Sequence, residues 1–355
     1  MRGVLVREWT DFDKLAVAEI PDPEPGPGQV RLRMQAAGMS FATSLVVAGK
    51  YQRKPPRPFV PGTEGAGIVD RVGPGVTRVA PGDRVAAILD WGAFGDQALA
   101  QEVSVFPIPD SLEFHRAICF TNSYMTAYAA LAWPHLLGLQ AGQVLLVHGA
   151  AGGVGIAATE IGKALGATVI ATAGSAAKLD VARAHGADHA VNYRDAPFRD
   201  AVLEATGGRG ADAVFDPVGG AVFEQSLRCM APEGRIMPVG FAGGTIQQIP
   251  ANILLVKNLT VCGLNMGYYY GWSPQDMRHQ YADRVRAAME QLFAWFEAGR
   301  LDPRVSHAFA LDDFRDAMAV VLGRRSLGRV ALVMDQEARR LGVRPGCPLE
   351  PGRAG

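Results

Sequence analysis

The sequence predicts an α/β protein in which a β-barrel-like unit is followed by a doubly wound parallel sheet. Three observations carry that expectation. Residues 1 to about 110 read as short strands broken by Pro/Gly turns. From about residue 125, apolar strands alternate with helical stretches. A glycine-rich turn then joins the first of these strands to its helix. The length of 355 residues suits about two domains, and 48% hydrophobic against 20% charged residues is ordinary globular composition.

In the first region, Val30-Arg31-Leu32-Arg33-Met34-Gln35 alternates as a half-buried strand does. Pro25-Gly26-Pro27-Gly28, Pro61-Gly62, Gly73-Pro74-Gly75 and Pro81-Gly82-Asp83 supply the turns. The second region opens with Val144–Val147, and helical spacing runs from Ile156 to Leu165. Strands follow at 168–172, 190–191, 213–215, 234–239 and 259–262, with a helix over 176–185. After about 265 the alternation stops. Residues 281–297 place Val285, Ala288, Met289, Leu292, Trp295 and Phe296 on one helical face. A helix over 312–322 is expected to start on Asp312 or Asp313 and stop at Gly323, before a strand over 329–334. Residues 336–355 lack periodicity, and no order is expected there.

Lys+Arg and Asp+Glu both number 35, so the net charge is zero and the electrostatic footprint of a nucleic-acid partner is missing. No apolar run approaches the ~18 residues of a membrane span. The N-terminus meets charge too early for a secretory signal. Cys119, Cys229, Cys262 and Cys347 have neither knuckle nor disulfide spacing, so a reducing, cytoplasmic setting is expected.

The sharpest signal is Val147-His148-Gly149-Ala150-Ala151-Gly152-Gly153-Val154-Gly155. A helix N-terminus after such a turn offers unpaired N–H groups to a pyrophosphate. Ala151, Gly152, Gly153 and Val154 are its candidate contacts, and Gly155 lets the helix sit close. Ala150 stands where the first glycine is usual, so the turn must tolerate a Cβ. An NAD site needs an acid at the end of the second strand, for the ribose 2′-OH. That end reads Ala171-Thr172-Ala173-Gly174-Ser175-Ala176-Ala177-Lys178, without one. Ser175 and Lys178 suit a 2′-phosphate instead, which points to NADPH. Tyr193 either lies on the adenosine end or is a half-buried loop tyrosine.

The chain resembles the medium-chain dehydrogenase/reductase superfamily, most closely its zinc-free quinone oxidoreductase and enoyl reductase branch. The resemblance covers about residues 1–335. It rests on Gly38-Met39-Ser40-Phe41, Gly49-Lys50-Tyr51, Pro61-Gly62-Thr63-Glu64-Gly65-Ala66-Gly67, Gly82-Asp83-Arg84-Val85, Met125-Thr126-Ala127-Tyr128, the glycine loop and Phe215-Asp216-Pro217-Val218-Gly219-Gly220. It implies a GroES-like catalytic domain from 1–124 and 266–335, and a Rossmann domain over 125–265. It also implies a homodimer paired through residues 259–262. Thr126, Val218, Gly240, Phe241 and Asn265 become candidates for the nicotinamide end.

Zinc relatives need Cys where this chain has Ser40 and His where it has Thr63. One carboxylate, Glu64, cannot hold the metal, so no metal is expected; Glu64 is read as paired with an arginine. Hydride transfer without a Lewis acid suits a conjugated acceptor, whose enolate or hydroquinone charge hydrogen-bond donors can hold. The expected activity is zinc-independent reduction of quinones or α,β-unsaturated carbonyls. Tyr51 either donates the proton or shapes the pocket while water does so; Ser40 can donate one bond. An enoyl-thioester reductase is one alternative, with Lys50, Arg53, Lys54 and Arg57 drawing a CoA phosphate. A non-catalytic NADPH-binding sensor is the other. Tyr268-Tyr269-Tyr270-Gly271-Trp272 either lines an aromatic pocket or packs.

Overall fold

The computed structural model describes residues 1–346 and 349, and the chain divides into two compact units. One comprises Met1–Asn122, Met266–Phe293 and the chain from Pro303; the other is Ser123–Asn265 with Ala294–Asp302.

The first unit is organised around the long strand Gln29–Met39. It runs antiparallel to Glu64–Val72, Gln97–Gln101 and Arg329–Val333. Val305–Ala310, Arg84–Ile88 and Val105–Pro107 complete a seven-stranded sheet, so the C-terminal chain closes what the N-terminal chain begins. The expected half-buried alternation holds at Arg33, which is exposed, and fails at Arg31 and Gln35, which are buried along with Leu32 and Met34. Arg31 is tolerable there because its Nε donates to Asp70 at 2.7 Å and its Nη1 to Glu24 at 3.1 Å. Phe12 packs its ring edge-on against Phe94 and Phe314, joining N-terminal, barrel and C-terminal segments in one core.

Two expectations for the C-terminal segment need correction. The helix Phe314–Leu322 starts after Asp313, yet neither aspartate caps it. Asp313 accepts the Gly346 N–H at 2.8 Å, and Asp312 pairs with Arg2. Gly323 follows the helix with φ −74°, and Arg324 takes the left-handed turn at φ 54°. The expected absence of order from 336 also fails for the described part. Asp335–Leu341 is a helix whose buried Glu337 accepts from His115 Nδ1 at 3.1 Å and from Arg340 at 2.8 Å. Those partners hold the Glu337 carboxyl at about 2, and Leu349 pairs its backbone with Ala308. Residues 347, 348 and 350–355 lie outside the described residues, and Cys347 with them; Cys119, Cys229 and Cys262 are buried and form no disulfide among the described residues.

The second unit is a six-stranded, all-parallel sheet. Its spatial order is His189–Asn192, Thr168–Ala173, Val144–Val147, Ala211–Asp216, Met230–Pro238 and Thr260–Val261. In chain order, the second and third strands lie to one side of Val144–Val147, and the fourth, fifth and sixth to the other. The winding therefore reverses beside the carboxyl end of the first strand, where open α/β sheets bind ligands. The helices Gly153–Ala164, Ala176–Ala184, Phe198–Ala205 and Ala221–Arg228 cover the sheet. Leu146, Ile170, Val214 and Ile236 form the core with Phe198 and Phe223.

Residues 294–302 group with this second unit, not with the catalytic unit to which the sequence reading gave them. The reason is a buried acid: Glu160 accepts the Asp302 N–H at 3.0 Å, Tyr124 Oη at 2.6 Å and His185 Nδ1 at 2.6 Å.

His148, directly before the glycine loop, is buried between Thr172 Oγ1 and Ser226 Oγ, each 2.8 Å away. Ser226 spends its proton on Val222 O at 2.7 Å, so His148 Nε2 is the donor to Ser226 and Nδ1 accepts from Thr172. Burial pushes the imidazole down to about 3 from 6.5. The unfolded chain therefore binds the extra proton as pH falls below 6.5, and the folded state loses stability through that window. Wild type is expected to lose about 2 kcal/mol more than His148→Gln between pH 7 and 5, measured by urea unfolding. Parallel pH profiles for the two proteins would contradict the neutral, buried imidazole.

Candidate functional site

In the first unit the chain leaves Gln29–Met39 at Ser40, which precedes the helix Phe41–Val47 in an extended conformation. The Ser40 hydroxyl makes no cap bond and lies 3.0 Å from Thr43 Oγ1. Tyr51 sits on the loop that follows, just after Gly49, which turns with φ 67°. Ser40 and Tyr51 line a single cavity together with Thr63, Phe59, Trp91 and Trp272. Hydroxyls and aromatic faces thus dominate its wall.

An ion network fastens the Tyr51 loop. Arg53 Nη2 donates to Asp90 Oδ1 at 2.6 Å and its Nη1 to Asp90 O at 3.1 Å. Arg278, buried, donates to the same Oδ1 at 2.8 Å. The Arg53 guanidinium also lies over the Trp91 and Trp272 rings, and Arg57 lies over Trp9. Of the four cations in this loop, Arg53 is therefore taken up by the fold, while Lys50, Lys54 and Arg57 are exposed.

Glu64, which opens its strand, is buried and ion-paired with Arg329, as the sequence reading expected. Asn122, on a π-helical turn over Phe120–Tyr124, donates to it at 2.6 Å. The aromatic run 268–272 divides. Tyr270 is buried, donating to Thr121 O at 3.0 Å; Tyr268 and Tyr269 pack with Tyr281; Trp272 lines the cavity.

In the second unit, the loop after Val144–Val147 turns at Gly149, φ 58°, so Ala150 is spared the left-handed conformation and keeps its Cβ. Ala150 N–H donates to Thr172 O at 3.2 Å. Gly155 and Gly152 answer different constraints. A Cβ on Gly155 would stand 2.3 Å from Gly149 O and 2.7 Å from Ala150 Cα. A Cβ on Gly152 would meet nothing nearer than Gly149 O at 3.4 Å, so the space beside it is not filled by the protein. Gly153 and Val154 form the first turn of the helix Gly153–Ala164, and Ala151 is buried just before it.

At the end of the second strand, Ser175 precedes the helix Ala176–Ala184 with no side-chain cap bond, and Lys178 stands half-buried in its first turn. Tyr193 reaches the same spot: its Oη would be 2.6 Å from a Cβ on Gly174. The loops after the fourth and fifth strands are tied together. Ala242 N–H donates to Pro217 O at 3.0 Å, and Gly243 N–H to Val218 O at 2.8 Å. This brings Val218, Gly240 and Phe241 into one double loop. Thr126 is buried on the helix Met125–Ala132, and Asn265 follows the sixth strand.

The residue beneath that double loop was missed from sequence. Asp216, fully buried, accepts the Val218 N–H at 2.7 Å and the Gly219 N–H at 3.0 Å on Oδ1. Burial pushes its carboxyl up, and among the described residues Oδ2 has no hydrogen-bond partner. An acid at a strand end followed by Pro-Val-Gly-Gly was the available signal. The Arg53–Asp90–Arg278 network carried none, since its members are 37 and 188 residues apart.

Residues 26–110 match the family described as alcohol dehydrogenase GroES-like domain, and 153–285 that described as zinc-binding dehydrogenase. A quinone oxidoreductase-like protein 2 homolog from Nematostella vectensis is 39% identical over 307 residues, covering 86% of this chain and 81% of its own. The chain belongs to the quinone-oxidoreductase-like branch of the medium-chain dehydrogenase/reductases. Its fold is shared with an Escherichia coli quinone oxidoreductase solved with NADPH, TM-score 0.82, 27% identity, covering 94% of this chain and 100% of that one. A Pseudomonas syringae quinone oxidoreductase gives TM-score 0.83 and 29% identity, covering 94% and 99%.

Within this family the chain stands on the zinc-independent side. Hydroxyls occupy positions 40 and 63, and Glu64 is committed to Arg329 and Asn122. Among the described residues no group of three or more His, Cys, Asp or Glu could hold a metal ion.

The two glycines provide a test. Gly155→Ala is expected to lower the melting temperature sharply, because the contact it forces is with backbone. Gly152→Ala should leave the melting temperature within a few degrees while weakening NADPH binding about tenfold or more. Paired thermal and fluorescence titrations check both; a folded Gly152→Ala that binds like wild type contradicts the cradle.

Proposed function

We propose that this protein is an NADPH-dependent reductase of quinones and α,β-unsaturated carbonyls that works without zinc. The observation that carries the reading is the composition of the first unit's cavity. Ser40, Thr43, Tyr51 and Thr63 offer hydroxyls, Phe59, Trp91 and Trp272 offer flat apolar faces, and the carboxylate of Asp90 is neutralised by two arginines. Such a wall can donate to a developing oxyanion and can stack a planar ring, but it has no Lewis acid for a simple alkoxide.

The second unit's residues fit the coenzyme. Gly152, with room beside it, and the N-terminus of Gly153–Ala164 would hold the pyrophosphate, with Ala151 and Val154 alongside. Ser175, Lys178 and Tyr193 would hold the 2′-phosphate and adenosine. Thr126, Val218, Gly240, Phe241 and Asn265 would surround the nicotinamide, with Asp216 holding the Val218–Gly219 backbone in place. Bound NADPH supplies a hydride to the acceptor's electrophilic carbon or quinone system. The chain's own part is to hold the charge that this leaves on the acceptor oxygen. Ser40 donates one bond, and Tyr51 donates a bond and, for an enoyl acceptor, its proton. The aromatic wall keeps bulk water from competing for the same oxygen.

The enoyl-thioester alternative is less well supported, because Arg53 is occupied within the fold and only the exposed Lys50, Lys54 and Arg57 are left for a CoA phosphate. A homodimer is part of the proposal. The sheet ends in the short edge strand Thr260–Val261, and beside it Leu255 and Val256 are 78% and 77% exposed. A cytoplasmic site of action is proposed from the free buried thiols. Among the described residues no helix is long and apolar enough to cross a membrane.

Lys178→Ala is expected to raise the Kd for NADPH at least about fivefold and to leave that for NADH nearly unchanged. Equal loss for both coenzymes removes the phosphate assignment. Tyr51→Phe should lower steady-state turnover of an enoyl acceptor by about tenfold or more, and that of 1,4-benzoquinone by less. Enoyl turnover at the wild-type rate would exclude Tyr51 as the proton donor.

A further inference from the structure

The 2′-phosphate site read from sequence has one cation, Lys178, and the third strand brings a second. His189–Asn192 runs parallel to Thr168–Ala173 with Asn192 opposite Ala173. The residues that follow each strand therefore emerge together: Gly174 and Ser175 from one, Tyr193 and Arg194 from the other. The backbone fixes this exit. Tyr193 N–H donates to Ala173 O at 3.3 Å, and Arg194 N–H to the Asn192 side chain at 3.1 Å. Arg194 then lays its guanidinium across Gly174, where its Nε would be 3.2 Å from a Cβ, alongside Tyr193 Oη and ζ-carbon at 2.6 and 2.9 Å. A side chain at 174 would push both away.

Resting on the NADPH reading above, we infer that Arg194 is a specificity-determining residue that grips the coenzyme's 2′-phosphate from the face opposite Lys178. Three features of the chain support this. Arg194 is exposed and, among the described residues, its side chain forms no ion pair or hydrogen bond, unlike Arg183, which pairs with Asp180. The Ser175 side chain makes no cap bond to its own helix, and its O–H is a donor that a phosphate oxygen accepts. The first turn of Ala176–Ala184 holds no acid, so nothing there repels a phosphate or neutralises the arginine in its place. The guanidinium fork suits a phosphate, whereas an unmodified ribose 2′-OH gives a cation little to bind. Selectivity between the coenzymes thus comes from two strand ends, not from the second strand alone.

The test is calorimetric binding of NADPH, NADH and 2′,5′-ADP to wild type, Arg194→Ala, Arg194→Lys and Lys178→Ala. Each protein is first checked for an unchanged melting temperature. Arg194→Ala should weaken NADPH and 2′,5′-ADP about tenfold and NADH less than about twofold. Arg194→Lys should recover part of the loss, and the wild-type preference should shrink as salt is raised. If Lys178→Ala loses NADPH while Arg194→Ala binds it normally, the role of Arg194 is refuted and the NADPH reading stands. If Arg194→Ala weakens NADH as much as NADPH, the residue is structural and the inference fails. If wild type itself binds both coenzymes equally, the NADPH reading fails and the inference with it.

Discussion

The coenzyme half of this protein depends on a backbone contact between a helix and the loop that leads into it. Where Gly155 meets Gly149 O and Ala150 Cα there is no room for a single carbon. That contact fixes the direction in which the first N–H groups of Gly153–Ala164 point, at the place where the sheet reverses its winding. His148 secures the loop from below through hydroxyls of the second strand and of the helix Ala221–Arg228. For the pyrophosphate proposed to bind here, a loop fixed in this way lowers the ordering cost of binding.

The substrate half follows a different rule: its negative charges are cancelled before a ligand enters. Glu64 is neutralised by Arg329 and Asn122, and Asp90 by Arg53 and Arg278. Leaving either carboxylate unpaired would oppose the oxyanion of the proposed reduction. The same pairs anchor the loops that carry Tyr51 and Thr63, so electrostatic neutrality and side-chain position are set by one set of bonds.

Most of the second unit was legible in the sequence because its signals are local. Val144–Val147, the glycine loop and the acid-free end at Gly174–Lys178 each lie within a dozen residues, and each has a direct physical meaning. What was not legible depends on distant partners. The alternation at Val30–Gln35 suggested a half-buried strand, but Arg31 is buried because Asp70, 39 residues away, and Glu24 take up its guanidinium. The Asp335–Leu341 helix has no apolar stripe to reveal it, being fixed by a hydrogen bond from His115 to Glu337 and an ion pair from Arg340 to Glu113. Asp216 and Arg194 stood in plain view, yet their meaning comes from which backbone lies next to them, and strand register decides that.

The placement of Arg329–Val333 beside Gln29–Met39 also shapes how the chain is made. These partners are separated by almost the whole polypeptide, so the barrel-like sheet lacks an inner neighbour until synthesis is nearly finished. The parallel sheet draws its six strands from one contiguous stretch and can consolidate while the ribosome is still working. Until the last strands emerge, the nascent N-terminal region carries an open edge on Gln29–Met39, a window in which chaperone capture or aberrant strand exchange competes with maturation.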